Sequence, residues 1–227
     1  MNPPLVASMT ARMILEAGAV KYSAERPYFL SSGWASPVYI DVQRLISFPR
    51  IRAALMDFAS QTVLANVGFE QFDTVAAVES SGIAYGAWIA ERLSLPLQYV
   101  HRRPRGFGRE AQIAGTLRPG SRVLMVDDVS TDGRSKVELV QALRAAEAQV
   151  DHVLVLFFYD VFAEARALLS EMRLRLHYLA TWRDIMAEAG ASGFLRPAAI
   201  EDVQRFIVDP ARWSLEHGGI GAFPRRS

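Results

Sequence analysis

An α/β fold with a mostly parallel sheet, covered by helices on both faces, follows from two patterns in the chain. Between residues 73 and 159, short runs that are apolar throughout alternate with amphipathic stretches of roughly 11 to 13 residues. A strand apolar on both faces is buried on both, and its alternation with helices marks βαβ units. Ligands settle at the carboxyl ends of the strands in such a sheet. The residues just after Val78, Val100, Val126 and Tyr159 are therefore where chemistry is expected.

Along the chain, ARMILEAGAV after Thr10 has helical spacing and a stop at Gly18. RPYFLSSGWASPVYIDVQRL mixes aromatics, Ser-Gly turns and the alternation SPVYID, which predicts a hairpin-like or irregular segment ahead of the main sheet. FPRIRAALMDFASQTVLANVG is an amphipathic helix with Pro49 in its first turn and Gly68 past its end. DTVAAV then reads as a strand, IAYGAWIAERL as a helix, PLQYV and RVLMV as strands, KVELVQALRAAEA as a helix and DHVLVLFFY as a long apolar strand. VFAEARALLSEM and RLHYLA follow, with helical candidates from Trp182 to Ala189 and from Ala199 to Ile207. Beyond Asp209 the tail reads as irregular.

Composition bounds the function. No Gly/Ser/Pro-rich linker or charge run divides the 227 residues, so a single domain over 1–227 is expected. With 51% hydrophobic and 22% charged residues the chain is ordinary for a globular protein, and a net charge of +1 gives no bulk attraction for nucleic acid or an anionic membrane. The absence of cysteine excludes disulfides, thiolate metal sites and a cysteine nucleophile, and fits a reducing cytoplasm. No apolar run approaches the roughly 20 residues of a membrane span, and the first residues lack a secretory pattern.

The densest chemistry is VLMVDDVSTDGRSK, residues 123–136. A strand ends in Asp127 and Asp128, and Thr131-Asp132-Gly133-Arg134-Ser135 leads into a helix at Lys136. Backbone amides at a helix entrance, with the Thr131 and Ser135 hydroxyls, make a cradle for phosphate. Carboxylates do not bind phosphate directly; they suit hydroxyls or a bridging divalent metal. Vicinal hydroxyls a few ångströms from a terminal phosphate describe a ribose 5-phosphate. A bare acid-capped turn is the competing reading for the motif in isolation. Neither Gly-x4-Gly-Lys-Ser/Thr nor Gly-x-Gly-x-x-Gly is present.

This stretch resembles the phosphoribosyl-diphosphate (PRPP) motif of type I phosphoribosyltransferases, departing at Ser130, usually aliphatic, and Asp132, usually small and neutral. Three further segments resemble the orotate phosphoribosyltransferases in family order: FLSSGWASPVYIDVQRL their amino-terminal signature, AVESSGIAYGAWIAERLSLP their pyrophosphate loop, and HRRPRGFGREAQIAG their basic loop. The resemblance implies a mostly parallel five-stranded sheet with a small amino-terminal hood over about residues 20–45. It also implies Mg²⁺-dependent transfer of ribose 5-phosphate from PRPP to orotate. The PRPP contacts it carries over are Ser80, Ser81 and Gly82; His101, Arg102, Arg103 and Arg105; and Asp127, Asp128, Val129, Ser130, Thr131, Asp132, Gly133, Arg134 and Ser135. Asp128 and Arg105 take the catalytic positions, and Mg²⁺ is held mainly by PRPP and water rather than by protein ligands.

Arg105 stands where the family has a mobile lysine, and Phe107 where a histidine is common. Arginine can clamp pyrophosphate but is a poor proton donor. In the family this loop reaches the neighbouring subunit's site, which implies a homodimer. Its interleaved arginines and aromatic could also be a nucleic-acid patch, but no second basic segment accompanies them. For orotate the resemblance carries over Tyr39, Ile40 and Thr131, with Tyr159 as a further donor. Phe158-Tyr159-Asp160 stands where the family has Val-Asp-Arg, whose arginine binds the orotate carboxylate. Two other readings stay open: a phosphoribosyltransferase for another base, and a non-catalytic PRPP sensor. His152, His177 and His217 have no metal-like spacing, and Trp182-Arg183-Asp184 is read equally well as a helix amino terminus.

Overall fold

The computed structural model describes residues 2–23, 25–105 and 112–223. Helix α1 spans Pro3–Glu16, a full two turns earlier than its apolar spacing alone suggests, because Pro3 and Pro4 occupy first-turn positions that need no amide donor. Strands β1 (Val20–Tyr22), β2 (Tyr28–Phe29), β3 (Ala35–Ser36) and β4 (Val38–Ile40) form the hood as two small antiparallel pairs, β1 with β4 and β2 with β3. A short 3-10 helix over Val42–Ser47 leads into α2 (Pro49–Val67).

The main sheet then builds in the expected alternation: β5 (Thr74–Val78), α3 (Ser81–Leu93), β6 (Leu97–Val100), β7 (Ile113–Ala114), β8 (Arg122–Ser130), α4 (Arg134–Ala145) and β9 (Gln149–Phe158). After α5 (Ala163–Glu171) come β10 (Arg175–His177) and β11 (Ala180–Thr181), then α6 (Trp182–Ser192), α7 (Pro197–Val208) and α8 (Pro210–Glu216). The order is β10-β9-β8-β5-β6-β7, with β11 also pairing β9. All pairs are parallel except β6 with β7.

The sheet therefore has seven strands rather than five. Five parallel positions are present, but the last is filled by two short strands, β10 and β11, separated by Tyr178 and Leu179. The antiparallel β7 adds an edge strand two residues long, too short to leave an alternating pattern in sequence. The tail also departs from expectation: Asp209 accepts a hydrogen bond from the Arg212 amide and Pro210 starts α8, so an ordered helix stands where irregular chain was expected.

Every residue of β5 is buried, as an apolar run demands of a central strand. Helix α3 lies close against it at Gly86, where a Cβ would fall 2.4 Å from that of Ala77. The Tyr85 hydroxyl donates to the Val42 carbonyl at 2.7 Å, tying α3 to the hood's exit. At the amino-terminal end of β9, His152 and His177 stack with ring centroids 5.2 Å apart and their facing ring nitrogens at 3.0 Å. Burial holds both below the ordinary histidine range, His177 at about 4. They are a packed pair, not a metal site. The Trp182-Arg183-Asp184 cluster is a helix start: Asp184 accepts from both the amide and the hydroxyl of Thr181 at 2.7 Å.

Candidate active site

The carboxyl ends of β5 and β8 and the hood enclose a cavity of about 370 Å³. Nine of the residues singled out from sequence border it: Tyr39, Ile40, Ser81, Arg102, Asp128, Val129, Thr131, Ser135 and Tyr159. Asp41, Gln43 and Lys136 border it as well.

The two acids at the end of β8 occupy different environments. Asp127 is fully buried and forms an ion pair with Lys136, Oδ2 to Nζ at 2.6 Å. Its other oxygen accepts from the Asp128 amide at 2.9 Å. Asp128 faces the cavity and accepts from the Ser81 hydroxyl at 2.9 Å and from the Val129 amide at 2.8 Å. Burial first, and the adjacent Asp127 carboxylate second, push the Asp128 carboxyl up to about 6. One acid is thus committed to the protein, and the other is left to meet a ligand. The buried lysine, itself 3% exposed, is the functional neighbour that sequence reasoning missed. Its signal was a basic residue nine positions after Asp127, on the first turn of the helix that follows.

Beyond β8 the chain turns at Gly133, whose φ of +81° is the left-handed region that favours glycine. The amides of Gly133 and Ser135 have no protein acceptor among the described residues, which leaves them to an anion at the α4 entrance. The Ser130 hydroxyl is buried without a partner among the described residues. Asp132 is buried too, and its carboxylate turns onto Arg134, accepting from Nε at 2.8 Å and from the backbone amide at 3.2 Å. Arg134 in turn donates to the Ser32 carbonyl at 2.6 Å. Neither side chain borders the cavity.

At the end of β5 the Glu79–Ser80 peptide is cis, and α3 begins at Ser81. Gly82 is pressed against β8: a Cβ there would lie 2.8 Å from the Val126 carbonyl and 3.0 Å from an Asp127 oxygen. Any larger residue would push the α3 amino terminus away from the acid pair. Ser80 is exposed outside the cavity lining. Glu79 gathers the root of the basic loop: His101 Nδ1 lies 2.8 Å from its carboxylate, Arg105 forms an ion pair with it, and Arg102 Nε donates to its carbonyl at 3.0 Å. These contacts hold the Glu79 carboxyl below its ordinary range, the His101 hydrogen bond foremost. Arg103 is exposed. Of the four basic positions only Arg102 borders the cavity, and Phe107 lies outside the described residues.

On the hood side Tyr39 is exposed at the cavity wall and Ile40 is buried behind it. Tyr159 is a packed aromatic, 1% exposed, edge-on to Phe157 and Trp182, with its phenol hydrogen-bonded to the Ile40 backbone. Burial raises its ionisation well above the ordinary tyrosine range. The arginine absent after β9 has no substitute there: Arg166 is held bidentately by Asp160 at 2.7 Å and does not border the cavity. Among the described residues no three His, Cys, Asp or Glu side chains converge on a metal position.

The family model of the phosphoribosyl transferase domain matches residues 42–168, from the hood's exit into α5. The chain is 47% identical over 208 residues to the orotate phosphoribosyltransferase of Ruegeria sp. (strain TM1040), covering 92% of each chain. It is 46% identical over 222 residues to that of Sinorhizobium medicae (strain WSM419), covering 98% of this chain and 96% of that one. Among solved structures, the orotate phosphoribosyltransferase of Aeropyrum pernix superposes with a TM-score of 0.69 at 31% identity, over 80% of this chain and 99% of that one. The UMP synthase of Leishmania donovani superposes with a TM-score of 0.73 at 25% identity, over 88% of this chain and 42% of that one. Matched over nearly its whole length in sequence and over 80% of it in structure, the chain belongs to the phosphoribosyltransferase family, among its orotate phosphoribosyltransferases.

Proposed function

We propose that the protein transfers the 5-phosphoribosyl group of PRPP to orotate, forming orotidine 5'-monophosphate and releasing pyrophosphate. The observation that carries this reading is the single cavity in which Asp128, Thr131 and Ser135 stand together below a hood bearing Tyr39. Ionised Asp128 accepts from ribose hydroxyls, while the Gly133 and Ser135 amides and the Thr131 hydroxyl hold the 5'-phosphate. Ser81 and the α3 amino terminus receive the diphosphate. As the C1'–oxygen bond breaks and the C1'–nitrogen bond forms, positive charge gathers on the ribose and negative charge on the departing diphosphate. Asp128 faces the former, and Arg102 with Arg105 answers the latter.

The donor set fits Mg²⁺ carried on the substrate. Magnesium keeps several waters and binds through one carboxylate plus substrate phosphates, and Asp128 is the cavity carboxylate that forms no ion pair among the described residues. When bound, the ion would neutralise charge on the diphosphate. The base side supports orotate through Tyr39, Ile40 and Thr131, with the packed Tyr159 at the cavity wall as a further donor. The resemblance of the basic loop to that of the family supports a homodimer in which it crosses to the neighbouring site, although within one subunit Arg105 pairs with Glu79. No helix among the described residues is long and apolar enough to cross a membrane, and with a cysteine-free chain this supports a cytoplasmic enzyme.

The test is the loss of orotate absorbance with PRPP and Mg²⁺, run beside uracil, adenine and hypoxanthine. Turnover of orotate alone is expected. Turnover of another base in its place would assign the chain to that base, and PRPP binding without any turnover would make it a sensor.

A further inference from the structure

Two oddities of the sequence, the acid inside the phosphate loop and the tail after Asp209, meet in one place. Arg134 joins three segments: it pairs with Asp132 in the phosphate loop, donates to Ser32 in the hood, and lies over the ring of Phe223 at 5.3 Å. Phe223 packs edge-on against Trp34 at 5.8 Å, and Trp34 against Phe162 at 4.6 Å. The tail is fastened to the same hood turn twice more, with the Ala35 amide donating to the Ser214 hydroxyl at 2.9 Å and the Ile220 amide to the Gly33 carbonyl at 3.1 Å. The fit is tight: a Cβ at Gly219 would fall 2.3 Å from the Ser214 hydroxyl and 2.4 Å from the Ala35 amide nitrogen. The hood turn it holds carries Leu30 and Ser31, which wall the cavity.

We infer that Arg134 is a positioning residue that binds no phosphate itself: it clamps the phosphate loop to the hood and the carboxyl-terminal strap, and turns the Asp132 charge away from the incoming 5'-phosphate. An acid is tolerable two residues before a phosphate-binding helix only if its charge is answered from the other side, and the half-buried Arg134 guanidinium does this for the buried Asp132 carboxylate. Since Asp132 also accepts the Arg134 amide, it takes up a donor that would otherwise face the ligand. The loop then offers the anion the Gly133 and Ser135 amides and two hydroxyls, and its position is set by the strap.

The inference rests on the reading of this cavity as a PRPP site, and PRPP binding measured by calorimetry tests it independently of the accepted base. Arg134→Met leaves Asp132 uncompensated, and should raise the PRPP KM and Kd about tenfold, with a smaller change in kcat. Asp132→Asn combined with Arg134→Met should recover most of that affinity, because the repelling charge has gone. Arg134→Lys should fall between, keeping the charge but not the reach to Ser32, and Phe223→Ala should weaken PRPP in the same direction without altering any charge near the loop. A double variant as weak as Arg134→Met would overturn the inference by making the guanidinium a phosphate ligand, and a Phe223→Ala enzyme with unchanged PRPP affinity would remove the strap from it. Should Arg134→Met fail to fold, Arg134→Lys and Phe223→Ala carry the same comparison. A wild-type protein that binds PRPP but ignores orotate would refute the reading of the base and leave this series intact.

Discussion

Asp128 and Asp127 are neighbours in sequence with opposite assignments, and the difference is measurable. The folded-state pKa of Asp128, about 6, lies above its ordinary value, so its protonated form is the one the fold prefers. Its contribution to stability is complete below the ordinary carboxylate range and is lost as pH rises through about 6. PRPP binding runs the other way, because ribose hydroxyls need an ionised acceptor, and should weaken as pH falls below 6. Asp128→Asn should therefore unfold at higher urea than wild type at pH 8, bind PRPP at least about tenfold more weakly, and lose the acidic limb of kcat/KM. Lys136→Met strands the buried Asp127 charge and should cost about 3–5 kcal/mol in urea unfolding, with Asp127→Asn restoring much of it in the double variant. The acids and the turn were legible because strand, acid pair and phosphate cradle are consecutive. Lys136 was not: a charged residue in a first helical turn ordinarily reads as solvated, and only the close approach of α4 to β8 buries it.

Elements were legible where their periodicity was long. The strands β5, β6, β8 and β9 and the helices α2, α3 and α4 declared themselves through apolar runs and amphipathic spacing. Three features did not: the two-residue β7, the division of the edge between β10 and β11, and α8, whose start depends on an Asp-Pro cap. The seating of α3 was equally hidden, since a glycine in a helix says nothing of what it touches. Gly86→Ala forces α3 away from β5, and overpacking of this kind should cost about 1–3 kcal/mol. Because Ser81 and Gly82 ride on the same helix, the PRPP KM should rise in step with the loss of stability, whereas a helix that pivots about Gly82 would leave it unchanged.

The proposed homodimer, with its loop acting on the neighbouring site, predicts complementation. Arg105→Ala and Asp128→Asn subunits, each nearly inactive alone, should recover about a quarter of wild-type activity when refolded together in equal amounts, since half of the dimers are mixed and each holds one intact site. No recovery would place the loop over its own subunit's cavity. The expectations for base and subunit partner came only through the resemblance, because no composition or charge pattern of a near-neutral chain distinguishes them. The two histidines add a feature of a different kind. His152 sits level with Leu124, four residues before Asp128 and roughly 13 Å down the sheet at 3.3 Å per residue, and His177 level with Val126, two residues before it. The depressed pKa of His177 means that the stability the pair contributes is complete above the ordinary histidine value and is lost as pH falls towards about 4. His152 and His177 thereby give the protein an internal reference for nuclear magnetic resonance: their ring-proton signals should hold still while PRPP saturates the cavity and shift together when the sheet itself begins to open, separating ligand occupancy from loss of fold in a single titration.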